Sequence, residues 1–234
     1  YELVNELGRG AHGAVYLARH TGLRRELALK ILMRPDNPEE RARFSREAKV
    51  ASSLEHPGIV GCYDVGQDAE RGYLYLALEY APGGTLAQRL EAGPLPPAEA
   101  TALSIHLAEA LAYAHDKGVL HRNLKAADIL FDEHGRALIS DFGLATYAAA
   151  PSLTGSGVLR GAPETLAPEQ FNGGTVDLRV DVYAMGVILY QMLTGRLPYQ
   201  SDDLKLLVEK VSAGSPPKPS TIRDTISPAI EAVC

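Results

Sequence analysis

The chain has 234 residues, 46% hydrophobic and 22% charged, with a formal net charge of −6. That length buries a sizeable core in one or two lobes without a disulfide or metal staple, and the composition excludes a disordered or fibrous chain. The acidic balance argues against a nucleic-acid partner, because phosphate backbones ask for a basic footprint.

Tyr1-Glu2-Leu3-Val4-Asn5 offers no basic segment leading into an apolar one, so no signal peptide is expected, and a start at Tyr reads as an excised domain. Leu3 to Val15 and Glu26 to Leu32 are short apolar stretches punctuated by glycine, the pattern of sheet strands. Asn37-Pro38-Glu39-Glu40 then supplies an N-cap, a proline at the first helical position and a glutamate at the third. Phe44, Ala48, Ala51 and Leu54 continue it as one apolar helical stripe, ended by His56-Pro57-Gly58. Ile59–Val65 and Tyr73–Tyr80 predict two more strands, and Pro82-Gly83-Gly84 predicts a linker.

Beyond the linker the period becomes helical. Ala98 to Lys117 places Leu103, Leu107, Ala110, Leu111 and Ala114 on one face, with Gly118 as its stop. Val180 to Thr194 is apolar nearly all round, which predicts a buried central helix. Leu204–Val211 and Pro228 to Cys234 predict shorter helices around a Pro216-Pro217-Lys218-Pro219 loop. No apolar run reaches the ~18 residues of a membrane span. Cys62 and Cys234 lack metal-ligand spacing and read as the reduced thiols of a cytoplasmic domain.

Three segments carry chemistry. Gly8-Arg9-Gly10-Ala11-His12-Gly13-Ala14-Val15 has the spacing G-x-G-x-x-G-x-V, where missing Cβ atoms let backbone N–H groups approach a phosphate. A dinucleotide-binding oxidoreductase would need a helix directly after the glycines. Here Ala14 to Ala18 reads as a second strand, which disfavours that function. Lys30 lies among apolar neighbours on a predicted strand, where a lysine either snorkels to water or holds an anion. The second reading needs an acidic partner, and Glu47 lies on the apolar side of the capped helix.

His121-Arg122-Asn123-Leu124-Lys125-Ala126-Ala127-Asp128-Ile129-Leu130, Ser140-Asp141-Phe142-Gly143 and Ala167-Pro168-Glu169 follow in that order. With the glycines, Lys30 and Glu47, the set resembles the signature of a protein kinase catalytic domain. Lys125, Ala167-Pro168-Glu169-Gln170 and Asp181 to Val187 resemble bacterial Hanks-type Ser/Thr members. The resemblance implies an α+β, two-lobed fold: a β-rich N-lobe over 1–80, a hinge at 81–84 and a mainly helical C-lobe over 85–234. It implies ATP with Mg²⁺ or Mn²⁺ as cofactor and a protein bearing Ser or Thr as substrate.

On the same resemblance Gly8, Gly10 and Gly13 cover the phosphates, Leu7 is a further ATP-binding residue, and Lys30, held by Glu47, pairs with the α- and β-phosphate oxygens. Val15, Ala28 and Leu130 wall the adenine, Leu78 precedes the hinge, and Glu79 and Ala81 offer backbone groups to the adenine edge. Asp141 and Asp128 take the metal, while Asn123 and Lys125 stand at the acceptor hydroxyl and the γ-phosphate. Thr146, Ser152, Thr154 and Ser156 are candidate phosphorylation sites, with Arg122 to receive the phosphate.

The chain departs from the family at four points. Asn123 stands where the family has a catalytic Asp, and Asp128 where it has a metal-binding Asn, so the two residues look exchanged. Ala162 replaces a bridging threonine; Thr165 lies nearby, where relatives often carry an aromatic. A further helix that would bring an arginine to Glu169 does not follow, which predicts a truncated domain. The expected activity is a Ser/Thr kinase weakened by Asn123; the alternative is a nucleotide-binding pseudokinase acting as scaffold or switch.

Overall fold

A computed structural model describes residues 1–10, 13–32, 36–142 and 163–234. The chain divides into two compact units, residues 1–83 with 130–144 and residues 84–129 with 145–234.

The first unit is built on a five-stranded sheet in the order β1-β2-β3-β5-β4. Its strands are β1 (Glu2–Arg9), β2 (Gly13–Arg19), β3 (Glu26–Leu32), β4 (Cys62–Gln67) and β5 (Leu74–Leu78), every pair antiparallel. β4 begins later than the sequence predicts. Gly58 and Val60 instead bond backbone to backbone with Ile139, ahead of the strand proper.

Strand alternation sends Leu27, Leu29 and Ala18 to one apolar cluster with Ala77. Leu32 and Leu76 go to the other face, where α1 (Pro38–Ser53) lays down Phe44 and Ala48. Lys30 sits two residues before Leu32 and therefore on the helix side of the sheet. The start of α1 is fixed by Asn37, whose side chain accepts from the N–H groups of Glu39 and Glu40 at 2.9 and 3.2 Å.

Residues 130–142 belong to the first unit. Val60 N–H donates to the Ile139 carbonyl at 3.0 Å, Ile139 N–H to Gly58 at 2.8 Å, and Gly83 N–H to Phe131 at 2.8 Å. A Cβ on Gly83 would lie 2.8 Å from the Phe131 carbonyl oxygen, so this close approach requires glycine. The segment carries β7 (Ala137–Ile139) and the last two residues of β6 (Ile129–Phe131), which pair as a small sheet.

The second unit is helical: α2 (Leu86–Glu91), α3 (Pro97–Asp116), α4 (Pro168–Phe171), α5 (Arg179–Thr194), α6 (Leu204–Ala213), α7 (Pro219–Ile222) and α8 (Pro228–Glu231). α3 buries Ala100, Leu107, Ala110, Leu111 and Ala114; the predicted Leu103 is only half-buried, because the stripe starts one turn earlier. α5 buries residues all round, as its composition predicts, and ends at Gly195 in the left-handed region with φ 72°. α6 closes on Tyr199 and Phe171 through Leu207 and Val211. Among the described residues no helix is long and apolar enough to cross a membrane.

Candidate active site

In the first unit Lys30 is clasped by two carboxylates. Its Nζ donates to Glu47 Oε1 and, at 3.0 Å, to Asp141 Oδ1. The Lys30 side chain is 15% exposed and that of Glu47 only 7%, whereas Asp141 keeps 38%, so one face of the cluster is open to an incoming ligand. Burial works against the charge on Lys30, but the attraction of Asp141 and Glu47 and their hydrogen bonds outweigh it. The ammonium is held above its ordinary pKa.

Asp141 reaches this point through a left-handed backbone, φ 61°. Such a conformation costs a non-glycine residue about 1–3 kcal/mol and persists only where its surroundings over-determine it. The next residue, Phe142, is buried and lines a hollow with Leu54, Ile59 and Leu76. That anchor lets Asp141 be strained and partly exposed at once.

The three glycines do different work. A Cβ on Gly8 would meet nothing within 4 Å, and one on Gly10 only the Gly13 carbonyl at 4.0 Å. A Cβ on Gly13 would collide with the Ile31 carbonyl, so that glycine is demanded by the β2–β3 pairing itself. Gly8 and Gly10 leave room that a phosphate would use. Ala11 and His12 lie outside the described residues.

Val15, Ala28, Leu78 and Leu130 are half-buried, unlike their fully buried neighbours Ala14, Leu27, Ala77 and Ile129. Ala28 is paired directly with Leu78 in the sheet. Glu79 spends its N–H on the Gly61 carbonyl at 2.8 Å, so an adenine edge could use only its C=O. Ala81 is half-buried in the segment after β5, and Leu7 is exposed at the end of β1.

In the second unit the loop from His121 to Asp128 is pinned by Asp181, a fully buried charge on α5. Its Oδ2 accepts from His121 N–H at 2.9 Å and meets His115 Nε2 at 2.7 Å, while Oδ1 accepts from Arg122 N–H at 2.6 Å. The buried carboxylate is thus satisfied by directed donors. Arg122 itself is left-handed, φ 66°. Asn123 is half-buried. Lys125 Nζ donates to Asp128 Oδ1 at 2.6 Å, with side-chain exposures of 32% and 5%.

The sequence did not reveal the roles of His115, Asp181 and the Gln170 side chain. They act across 48 to 66 residues through single hydrogen bonds, which leave no local pattern. Thr165 is buried in a short 3-10 turn, residues 163–165. Gly143, Thr146, Ser152, Thr154, Ser156 and Ala162 lie outside the described residues.

Among the described residues no three His, Cys, Asp or Glu side chains gather as a metal cage. Asp141 in the first unit and Asp128 in the second each carry hard carboxylate oxygens, the donor type of Mg²⁺.

The protein kinase domain profile matches residues 1–228. The chain is 36% identical to the serine/threonine-protein kinase PrkC of Bacillus subtilis over 220 residues, 92% of this chain and 34% of that protein. It is 37% identical to PknB of Mycobacterium leprae over 240 residues, 100% of this chain and 38% of the relative. Against pkn3 of Myxococcus xanthus it is 39% identical over 244 residues, 99% of this chain and 44% of that kinase. The chain therefore spans well under two thirds of the relatives it matches. An ammonium clasped by a helical and a loop carboxylate, a pinned loop bearing Lys125 and a profile match over nearly the whole chain together make this chain a member of the protein kinase domain family.

Proposed function

We propose that the chain is the catalytic domain of a Ser/Thr protein kinase that binds Mg·ATP and transfers its γ-phosphate to a protein hydroxyl. The observation that carries this reading is Lys30 between Glu47 and Asp141, a cation kept charged and aimed by two separate elements. Lys30 would take the α- and β-phosphate oxygens. Gly8, Gly10 and Gly13 would cover the phosphates, and Asp141 and Asp128 are the carboxylates assigned to the metal. Mg²⁺ bound with the nucleotide neutralises charge on the phosphates as they separate.

In the reaction the acceptor oxygen bonds to the γ-phosphorus while the bond to the β,γ-bridging oxygen breaks and ADP leaves. Asn123 accepts a hydrogen bond from that hydroxyl through its amide oxygen but takes no proton at neutral pH. The proton passes to a phosphate oxygen or to solvent. General-base help is worth about 10²–10⁴-fold, whereas positioning and charge stabilisation carry most of phosphoryl transfer. Turnover is therefore slow rather than absent.

Asn123 also favours a second reading, a nucleotide-binding pseudokinase that serves as a scaffold or switch. Incubation with γ-labelled ATP, Mg²⁺ and a Ser/Thr-rich basic protein separates the two. Transfer that disappears in Asp141→Ala supports the kinase; Mg·ATP binding with no transfer above background supports the pseudokinase.

A further inference from the structure

We infer that Gln170 is a positioning residue for phosphoryl transfer, fixing the peptide plane that leads into Asn123; the inference rests on the placement of Asn123 at the acceptor hydroxyl. Gln170 lies on α4, directly after Ala167-Pro168-Glu169, with only 9% of its surface exposed. Its Oε1 accepts from Ala167 N–H at 2.9 Å, and its Nε2 donates to the Arg122 carbonyl at 2.7 Å.

That carbonyl belongs to the peptide whose nitrogen is Asn123's. On the other side of Arg122, the N–H is held by Asp181 at 2.6 Å. Both peptide planes flanking Arg122 are therefore held from outside the loop, Asp181 gripping one and Gln170 the other. Between two fixed planes the φ and ψ of Arg122 have little freedom, and its left-handed φ of 66° is sustained. Without the Gln170 bond the second plane could rotate, Arg122 could relax towards an ordinary conformation, and Asn123 would swing with it.

The chemistry demands an amide. One end must accept from an N–H and the other must donate to a C=O, which a carboxamide of this reach does at every pH and a carboxyl group only when protonated. An ionised glutamate in the same place keeps the Ala167 bond but sets a carboxylate oxygen against the Arg122 carbonyl oxygen in a buried site, so Gln170→Glu is measured at high pH, where it is ionised. A leucine loses both bonds. The pair of variants thus separates capping of α4 from control of the loop.

The test measures kcat and KM for ATP in wild type, Gln170→Glu and Gln170→Leu, with melting temperatures and hydrogen exchange of the peptide covering residues 120–126. Both variants are expected to lose about 10–100-fold in kcat, as a misplacement of about an ångström does. KM for ATP should stay within about twofold, since the groups assigned to the nucleotide lie elsewhere, and exchange at 120–126 should quicken in both. Replacing Arg122 by glycine, which adopts φ near 66° without strain, should restore part of the exchange protection lost in Gln170→Leu. Hydrogen exchange reads the clamp even if transfer proves absent, so loss of the kinase reading and loss of this inference are told apart. Native exchange at 120–126 in both variants overturns the inference. So does a fall in kcat that follows the melting temperature in Gln170→Leu and vanishes in Gln170→Glu.

Discussion

Lys30 and Lys125 are both ammonium groups held by carboxylates, yet the two arrangements are built in opposite ways. Lys30 on β3 is caught by Glu47, 17 residues away on α1, and by Asp141, 111 residues away, with 15% of its side chain exposed. Lys125 is caught by Asp128 three residues along the same loop and keeps 32%. The first pair ties separate elements together, so disturbing it damages structure and binding alike. The second is local, so its carboxylate can be moved within the loop while the fold stands, and the proposed exchange of Asn123 and Asp128 would be a change of this kind.

The largest expected effect tests that difference in the loop. Asn123→Asp with Asp128→Asn returns the carboxylate to position 123 and should raise kcat by up to ~10²–10⁴-fold over the present chain. Asn123→Asp alone leaves two carboxylates to share Lys125 and the metal, so their repulsion should blunt the gain. Asp128→Asn alone strips Lys125 of its 2.6 Å partner and should be the least active of the set. The effects should be strongly non-additive, as for residues acting as a unit. Additive kcat changes across the four proteins would sink the idea that the loop shares one carboxylate. Melting temperatures should differ less than in the Lys30 variants, since Lys125 keeps 32% of its side chain in water.

Breaking the Lys30 cluster should instead be felt by the fold. Lys30→Met removes the ammonium between Glu47 and Asp141, leaves only the weaker attraction of Arg43 on the buried Glu47, and should cost about 3–5 kcal/mol by urea unfolding, while weakening Mg·ATP binding in calorimetry. The pH dependence has a definite sign. The folded-state pKa of Lys30 is raised, so its contribution is fully present below the ordinary lysine value and fades only as pH rises through the higher folded value. The stability difference between wild type and Lys30→Met should therefore show no lysine-linked loss up to about pH 10. A lysine-linked decline already between pH 7 and 9 would mean that the ammonium is not held as described.

The same contrast explains what could be read from the chain before its structure. Lys30, Glu47 and Asp141 were legible because a lysine in an apolar strand, a glutamate on a capped helical stripe and a Ser-Asp-Phe run stand in the order of the set that resembles a protein kinase; each pattern alone also has a plain packing reading. The strands, α1, α3 and α5 were legible from period and caps. The grouping of residues 130–142 with the first unit was not, because it rests on backbone bonds among Gly58, Val60, Gly83, Phe131 and Ile139, of which only the approach at Gly83 depends on residue type. Asp181 could have raised suspicion as a lone charge in a helix apolar all round, but its partners His115, His121 and Arg122 lie some 60 residues upstream. Gln170 was legible only as the end of the Ala167-Pro168-Glu169-Gln170 run that resembles bacterial members, since nothing local announces that a carboxamide after Pro-Glu is buried and bonded.

The glycines sharpen the comparison at smaller amplitude. Gly13→Ala should destabilise by about 1–3 kcal/mol, because its Cβ meets strand backbone that cannot step aside. Gly8→Ala meets open space and should leave the melting temperature nearly unchanged while lowering ATP affinity, the new methyl occupying room assigned to phosphate. Equal melting shifts in the two variants would remove the distinction between a structural and a binding glycine.

The smallest effects come from two helix caps of like chemistry in the two units. Asn37 caps α1 through the N–H groups of Glu39 and Glu40, and Thr85 caps α2 in a reciprocal box with Gln88, at 3.1 Å to the Gln88 N–H and 2.8 Å from Gln88 Oε1 to the Thr85 N–H. Replacing either by alanine should cost about 1 kcal/mol. Only α1 carries a residue of the Lys30 cluster, Glu47, which keeps its place through Phe44 and Ala48 packed on the sheet. Fraying the first turn of α1 loosens that packing, so Asn37→Ala should weaken ATP binding by a few-fold, whereas Thr85→Ala, at similar stability loss, should leave it unchanged. Calorimetric titration of both proteins at one temperature makes the comparison. If Thr85→Ala weakens ATP as much as Asn37→Ala, nucleotide affinity follows overall stability, and the Lys30 cluster is not its separate determinant.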